Sequence, residues 1–338
     1  MFGHSRHYKT ARLIGVDVGT GVARHLRLLE EMLASAGFSW SLTPRHANRR
    51  GDRAYAVAAS HGLRWPTVDL QLFTQDLNPR LLPFAKRNVL LPMQEWFDPR
   101  SIPLLRGVDT ILCQSEHSAE IFRPIHHDVR TMGFTSVDRF EAVAPASRTR
   151  ILHVAGRSPY KGSAQLVRIW QRHPEWPTLT LTHAEGIVQP LETPNIEQHI
   201  GHLPDEQIRR YQNEAWLHVQ TSEAEGFGHC LFEAMSCGAV VVAVDAPPMN
   251  ELFSVTDSEG FVVPTSQQIP LNMGYRFIAD DAPLERELER VLALGPALVH
   301  SVGDAARRRF ESQDQRVRDS YAAFFVEPAR TRRTGPGE

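Results

Sequence analysis

The chain has 338 residues, of which 42% are hydrophobic and 22% charged, and its formal net charge is −2. This length predicts about two domains, and this composition is ordinary for a globular protein. A net charge so close to zero excludes a global basic field for nucleic acid or a membrane surface, and leaves only local peripheral membrane contact open.

Cysteine usage and hydropathy indicate a cytoplasmic protein. Cys113, Cys230 and Cys237 are too few for a disulfide framework and lack zinc-like spacing. The first residues lack the long apolar core of a signal peptide. No stretch approaches the roughly 20 apolar residues of a membrane span. We therefore expect a cytoplasmic enzyme or binding protein with reduced thiols.

The first half of the chain predicts a β-α-β unit followed by further strands. A strand over 11–17 leads through a tight turn at 19–21 into an amphipathic helix over 22–37, and FSWSLTP is a second strand. Three more strands and a helix at SAEIF follow, the strands lying at 67–73, 87–93 and 108–115. Strands that alternate with helices favour a parallel, doubly wound sheet.

The tract 141–150 has little periodicity and predicts a linker, after which the alternation restarts. Five strands are expected in the second half, at 150–156, 178–183, 195–201, 216–222 and 239–245. Helices are expected at SAQLVRIWQRH, at 205–215 and near the end. The last of the strands, AVVVAVD, is apolar enough to be covered on both faces.

This organisation predicts an α/β fold with two Rossmann-like, doubly wound domains and a cleft between them. We place the N-terminal domain at residues 1–145 and the C-terminal domain at 150–315, with a final helix and polar tail at 316–338.

The stretch EAEGFGHCLFEAM sets Glu225 and Glu233 around a Gly-Phe-Gly turn. It follows a predicted strand, so it lies at the sheet edge where α/β proteins bind ligands. The helix after it has free N–H groups that suit a phosphate or sugar oxygen, and the glycines allow close approach. Glu233 lies roughly opposite an apolar helix stripe and is not forced into the core. The alternative is an exposed Glu233, with Glu225 a partner of the helix dipole.

A second turn, in HVAGRSPYKGS, places Arg157 and Lys161 between a strand and a helix. Two cations at the carboxyl end of a strand fit a diphosphate. Solvated loop cations are the alternative interpretation.

Other polar groups carry weaker signals. GTG at 19–21 could touch a phosphate, but Arg24 stands where a dinucleotide fingerprint has its third glycine, so an ordinary tight turn fits equally well. Gln75, Asp76 and Glu95 lie near strand ends of the first half, where they could meet an acceptor or a sugar, or be loop residues. His117 near a helix start and His126–His127 without a third metal ligand favour structural roles. The basic loop 45–53 could receive an anionic acceptor or be a solvated loop.

GRSPYKG followed by SEAEGFGHCLFEAMSCGAVVV resembles the donor-binding domain of the retaining glycosyltransferases of the GT-B fold. The family is the large one with many bacterial mannosyl- and glucosyltransferases (family 4-like, glycosyl transferases group 1). Its motif of two glutamates separated by seven residues matches at Glu225 and Glu233. The resemblance covers 150–255, is looser over 11–37 and 108–140, and shows little family pattern over 40–70.

The resemblance implies a role for each matching residue. Glu225 would hold hydroxyls of the transferred sugar, and Glu233 the ribose of the nucleotide. Arg157 and Lys161 would neutralise the leaving diphosphate. The other expected donor contacts are the backbone near Gly226, the amides of Phe227, Gly228 and His229, the nucleobase loop with His202 and Leu203, and the glycine-rich loop Gly19, Thr20 and Gly21.

The chain departs from the family pattern in two places. Arg157 and Lys161 are one residue closer than the family spacing. The first domain is short and has no clear counterpart of a histidine often used there, a place that we assign to Asp76. The expected catalytic set is therefore Glu225, Lys161, Arg157 and Asp76.

The expected function is retaining transfer of a sugar from a nucleoside-diphosphate sugar to an unidentified acceptor, which could be a glycan, a lipid-linked sugar, a protein or a small molecule. No metal or other cofactor is implied, because the two cations and helix N-termini supply the positive field. Two alternatives stay open. A nucleotide-sugar epimerase of the same fold would release free nucleotide or isomerised sugar without an acceptor. A catalytically silent subunit would bind donor and turn over nothing.

Overall fold

The computed structural model describes residues 9–15, 21–44, 52–143, 148–226, 228–252 and 258–327. The first domain contains a parallel sheet of six strands in the order β2-β1-β3-β4-β5-β6. These strands are β1 (Lys9–Gly15), β2 (Phe38–Pro44), β3 (Val68–Gln75), β4 (Ala85–Pro92), β5 (Thr110–Cys113) and β6 (Val129–Thr131). Its helices are α1 (Gly21–Ser35), α2 (Asp52–Ser60) and α3 (Glu116–Phe122).

Strand alternation divides the apolar side chains of this sheet between two helical layers. Leu13 and Leu72 face α1, where Leu26, Leu29 and Leu33 lie at helical spacing and are buried. Their strand neighbours point to the opposite face, which α2 and α3 cover. The apolar residues recur with a period of two in the strands and of 3.6 in the helix. They therefore form a continuous buried layer on each side of the sheet.

The second domain has a parallel sheet of six strands in the order β12-β11-β10-β7-β8-β9. The strands are β7 (Arg150–Gly156), β8 (Leu179–His183), β9 (Ile196–Ile200), β10 (Ala215–Gln220), β11 (Val240–Asp245) and β12 (Phe261–Pro264). An antiparallel hairpin, β13 (Gln267–Leu271) and β14 (Gly274–Ile278), follows. The helices are α4 (Ser163–Arg172), α5 (Asp205–Glu214), α6 (His229–Ser236), α7 (Asp281–Leu292) and α8 (Pro296–Val326).

The predicted architecture is confirmed in its main features. Both sheets are parallel and doubly wound, and Val240–Val244 of β11 are buried on both faces as the apolar run predicted. The described parts of the expected linker, 141–143 and 148–149, contain no helix or strand. Sequence patterns did not indicate α2, β6, β12, the hairpin or α7. Residues 267–270 of the hairpin are exposed, so no buried face imposes a hydrophobic pattern there.

The C-terminal helix is the main difference from the expected domain plan. Instead of a separate segment from residue 316, α8 is one helix of 31 residues that begins at Pro296. Val302, Ala306 and Phe310 pack in the core of the second domain. Val317, Tyr321, Phe324 and Phe325 pack in the core of the first. A single helix therefore contributes to both cores. No helix among the described residues is long and apolar enough to cross a membrane.

The crossing of α8 over the turn after α6 depends on a glycine. A Cβ at Gly303 would lie 2.3 Å from the carbonyl oxygen of Gly238, which is backbone and cannot move aside. Alanine normally stabilises a helix interior by about 0.5–1 kcal/mol relative to glycine. We expect the clash to outweigh that gain, so Gly303→Ala should lower the free energy of unfolding by about 1–3 kcal/mol in urea titration.

The matched control is Gly295→Ala at the start of the same helix, where an added Cβ meets nothing within 4 Å. Its effect should stay within about 0.5 kcal/mol. A Gly303→Ala variant as stable as the wild type would contradict the close helix crossing.

Candidate functional site

The second sheet reverses its strand order between β7 and β10, which lie side by side. Parallel sheets bind ligands outside the carboxyl ends of strands at such a switch point. The loop after β7 carries Lys161, and the loop after β10 carries Glu225. A hydrogen bond joins these two loops, in which the N–H of Glu223 donates to the carbonyl of Tyr160 at 2.7 Å. The two motifs found in the sequence therefore share one edge.

Gly162 allows the two loops to pack. Its φ of +69° is left-handed, and an added Cβ would lie 2.3 Å from the carbonyl oxygen of Thr221. L-residues with a side chain avoid this backbone region. The glycine of the PYKG turn thus positions the neighbouring lysine against the second loop.

Lys161 and Glu225 form an ion pair, and their side chains are only 12% and 11% exposed. Burial by itself lowers the pKa of Lys161, but the charge of Glu225 outweighs this effect and the pKa is raised above its ordinary value. The lysine is therefore a permanent cation. Arg157 lies on the same loop but is exposed.

Glu233 is fully buried, so the alternative interpretation of an exposed helix glutamate is wrong. Arg24 of α1 lies 2.8 Å from its Oε1, and Nε2 of Gln212 donates to its Oε2 at 2.7 Å. The Oγ of Ser136 lies 3.4 Å from Oε1. The first domain and the segment entering the second cover this side of α6, which a helical projection of α6 alone cannot reveal.

Gly21 and His229 meet where α1 and α6 begin. A Cβ at Gly21 would lie 3.1 Å from Cδ2 of His229. His229 is buried, and its Nδ1 is 2.8 Å from Oγ of Ser136. Burial, helped by His25, Arg24 and Lys161, holds the pKa of His229 well below its ordinary value, so the imidazole is neutral. Gly228 caps α6 in the left-handed conformation, with φ +64°. Gly19, Thr20 and Phe227 lie outside the described residues.

The expected nucleobase loop lies beside a small apolar cluster. Leu203 is half-buried against the cluster of Leu152, Val154, Tyr211 and Ala215, and Cys230 packs there too. His202 is exposed. An apolar wall next to an open loop suits the face of a base.

On the first domain, the candidate residues end adjacent strands. Asp76 is half-buried after β3, and its Oδ1 accepts from the N–H of Leu77 at 2.7 Å. Gln75 before it has φ +72°, which is uncommon for a residue with a side chain. Glu95 follows β4 and is 2% exposed. His117 is the second residue of α3, after the cap Ser115, which agrees with its predicted structural role.

Several contacts across the two domains were not indicated by the sequence. The Glu251 carboxylate accepts from the N–H groups of Glu116 and His117 at 2.8 and 2.9 Å. The Gln94 side chain donates to the carbonyl of Glu225 at 3.0 Å. In the sequence, Arg24 was distinguished by its position, a large cation in place of a glycine. In the structure it forms an ion pair with Glu233.

These contacts close the cleft. A cavity of about 310 Å³ lies beside the donor loops instead, lined by Gly162, Ser163, Arg168, Glu223, Asp280 and Asp281. The acidic lining of this cavity does not suit a diphosphate. The groups with chemistry lie at the switch point and at the contacts between the domains.

Comparison with known proteins agrees with this geometry. Residues 136–290 match the family model described as glycosyl transferases group 1. Among solved structures, the sucrose-phosphate synthase of Thermosynechococcus elongatus aligns with a TM-score of 0.70 at 17% identity, covering 94% of this chain and 98% of that one. A search of curated proteins found no match.

Two further structures show the same fold. Anabaena HepE, solved with UDP and glucose, aligns with a TM-score of 0.64 at 14% identity and covers 94% of this chain and 98% of its own. The UDP-forming α,α-trehalose-phosphate synthase of Burkholderia xenovorans has a TM-score of 0.65 at 13% identity, covering 96% of this chain and 100% of its own. Residues 136–290 are therefore similar to the glycosyl transferases group 1, within a chain that has the two-domain GT-B fold.

Proposed function

We propose that this protein transfers a sugar from a nucleoside-diphosphate sugar to an acceptor, with retention at the anomeric carbon and without a metal ion. The observation that carries the proposal is the Lys161–Glu225 pair, held at the switch point of the sheet inside the region that matches the family. Retention comes from the family resemblance, and the acceptor stays unidentified.

The diphosphate would lie against the loop of Lys161. Lys161 remains charged, and Arg157 on the same loop is exposed and available. The N–H groups that begin α6 add a positive dipole end. Negative charge on the diphosphate grows as the glycosidic bond breaks, so these groups act most strongly in the transition state.

The sugar and the ribose would contact different glutamates. A carboxylate offers about four acceptor positions, so Glu225 can hold sugar hydroxyls while it stays paired with Lys161. Glu233 lies about one helical turn along α6, where Arg24 and Gln212 hold it. Ribose hydroxyls would replace Arg24 when the domains separate to admit the nucleotide. We place Asp76 on the acceptor side of the cleft.

A thermal-shift panel of nucleoside diphosphates and their sugar esters tests the donor class, and UDP and UDP-glucose are the first pair because HepE was solved with UDP and glucose. A ligand at about 100 times its dissociation constant should stabilise the protein by roughly 2.7 kcal/mol. The shift should persist in excess EDTA, because side chains supply the positive charge. If no member shifts the melting temperature, the protein does not bind nucleotide sugars in this state.

Lys161→Met should weaken binding of the bare nucleoside diphosphate about ten- to hundredfold, measured by calorimetric titration, since a charged hydrogen bond contributes about 1.5–3 kcal/mol. The substitution also leaves Glu225 without its cation and should lower the melting temperature. Lys161→Met with Glu225→Gln should restore stability but not affinity. Lys86→Met, at an exposed lysine of the first domain, is the control. If Lys161→Met binds the nucleoside diphosphate as tightly as the wild type does, Lys161 does not hold the diphosphate.

Glu225→Gln and Glu233→Gln should distinguish the roles of the two glutamates. Glu225→Gln should depress turnover and leave affinity for the bare nucleoside diphosphate nearly unchanged. Glu233→Gln should weaken the bare nucleotide about ten- to hundredfold, because the charged partner of the ribose is lost. The same titration measures both variants, and their melting curves without ligand show whether each is folded. Unchanged nucleotide binding by Glu233→Gln would make Glu233 a structural partner of Arg24 only.

A further inference from the structure

Glu95 is a buried carboxyl that the function described above does not use. It lies on the loop after β4, and this loop packs against the donor loop of the other domain. A Cβ at Gly226 would lie 2.6 Å from Oε1 of Glu95. Asn272, in the hairpin turn, donates to the backbone carbonyl of Glu95 at 2.7 Å. Contacts from two sides therefore fix the position of the Glu95 carboxyl next to Gly226.

The second oxygen of this carboxyl lacks a partner among the residues that the structure describes. Oε2 of Glu95 is buried and makes no hydrogen bond within the described ranges of the chain. A buried polar atom left unpaired costs about 1–3 kcal/mol, so such an atom calls for an explanation. A side chain that only filled space beside Gly226 would not need a carboxyl. The unpaired oxygen indicates a hydrogen-bond partner that arrives with a ligand.

The surrounding charges decide the state of this carboxyl. Glu225 on the loop after β10 and Lys161 on the loop after β7 face it and are paired with each other, and the hairpin residues 272–274 carry no charge. Burial, together with the charge of Glu225, raises the pKa of Glu95 to about 8. Below that pH the carboxyl is neutral, and it can both donate and accept a hydrogen bond. A sugar hydroxyl has the same dual character.

We propose that Glu95 is a sugar-binding residue supplied by the first domain, which hydrogen-bonds a hydroxyl of the transferred sugar opposite Glu225. The proposal rests on the proposed function, because it needs a nucleotide sugar in this cleft. It adds a contact from the opposite domain to the sugar, so that sugar recognition and closure of the cleft depend on the same side chain.

The test compares UDP with UDP-glucose by calorimetric titration, or the GDP and GDP-mannose pair if the panel selects it. The ratio of the two dissociation constants isolates the sugar and needs no acceptor. Glu95→Ala should reduce the gain in affinity from the sugar by about tenfold and leave the bare nucleotide unchanged. Glu95→Gln, an isostere of the neutral acid, should keep most of the gain. Glu120→Gln, an exposed glutamate of the same domain, is the control.

The pH dependence adds a readout that a packing role would not change. For the wild type, the affinity gained from the sugar should be smaller well above pH 8 than well below it. The pKa of Glu95 is about 8, and the ionised carboxyl has lost its donor hydrogen. Glu95→Gln should show no such fall.

A Glu95→Ala variant that keeps the full sugar contribution overturns the inference, and so does a Glu95→Gln variant that loses it at low pH. If the wild type binds neither member of any pair, the proposed function itself fails and the inference fails with it. Wild-type sugar recognition that survives in Glu95→Ala contradicts the inference alone.

Discussion

The ion pair of Lys161 and Glu225 is the interaction on which the cleft depends. Each group alone would be a costly buried charge, and together they neutralise each other at the edge of the donor sheet. The left-handed Gly162 and the junction of Glu223 with Tyr160 bring the two loops close enough for the pair to form. Burial and the charge of Glu225 raise the pKa of Glu95, on the facing domain, to about 8, so its carboxyl is neutral below that pH.

A second ion pair joins the domains directly. Arg24 belongs to α1 of the first domain, and Glu233 to α6 of the second. Burial by itself would lower the pKa of Arg24, yet Glu233 and Asp205 raise it, so the guanidinium is firmly charged. Glu233 is therefore fully paired in the closed state. A nucleotide that takes over this carboxylate must compensate for the lost Arg24 contact, which links its binding to the separation of the domains.

The long helix α8 limits how the domains can move. Its first half is part of the core of the second domain, and its second half is part of the core of the first domain. Opening of the cleft must therefore bend or pivot near the middle of this helix instead of stretching a free linker. The Glu251 contact with the start of α3 gives a further point that opening must break.

The sequence by itself determined the alternation of strands and helices, the two parallel sheets and the donor loops with Lys161 and Glu225. These features follow from local periodicity and from the rule that strand ends of one sheet meet at one edge. Tertiary structure alone decided that Glu233 is buried, that Arg24 is its partner and that α8 completes both domains. The reason is that burial and ion pairing depend on which distant segments cover a helix face. A helical projection of α6, or a count of its apolar residues, does not show which segments pack against that helix. Glu95 shows the same limit: its position after a strand could be predicted, but its raised pKa results from burial against a facing domain that carries the charge of Glu225.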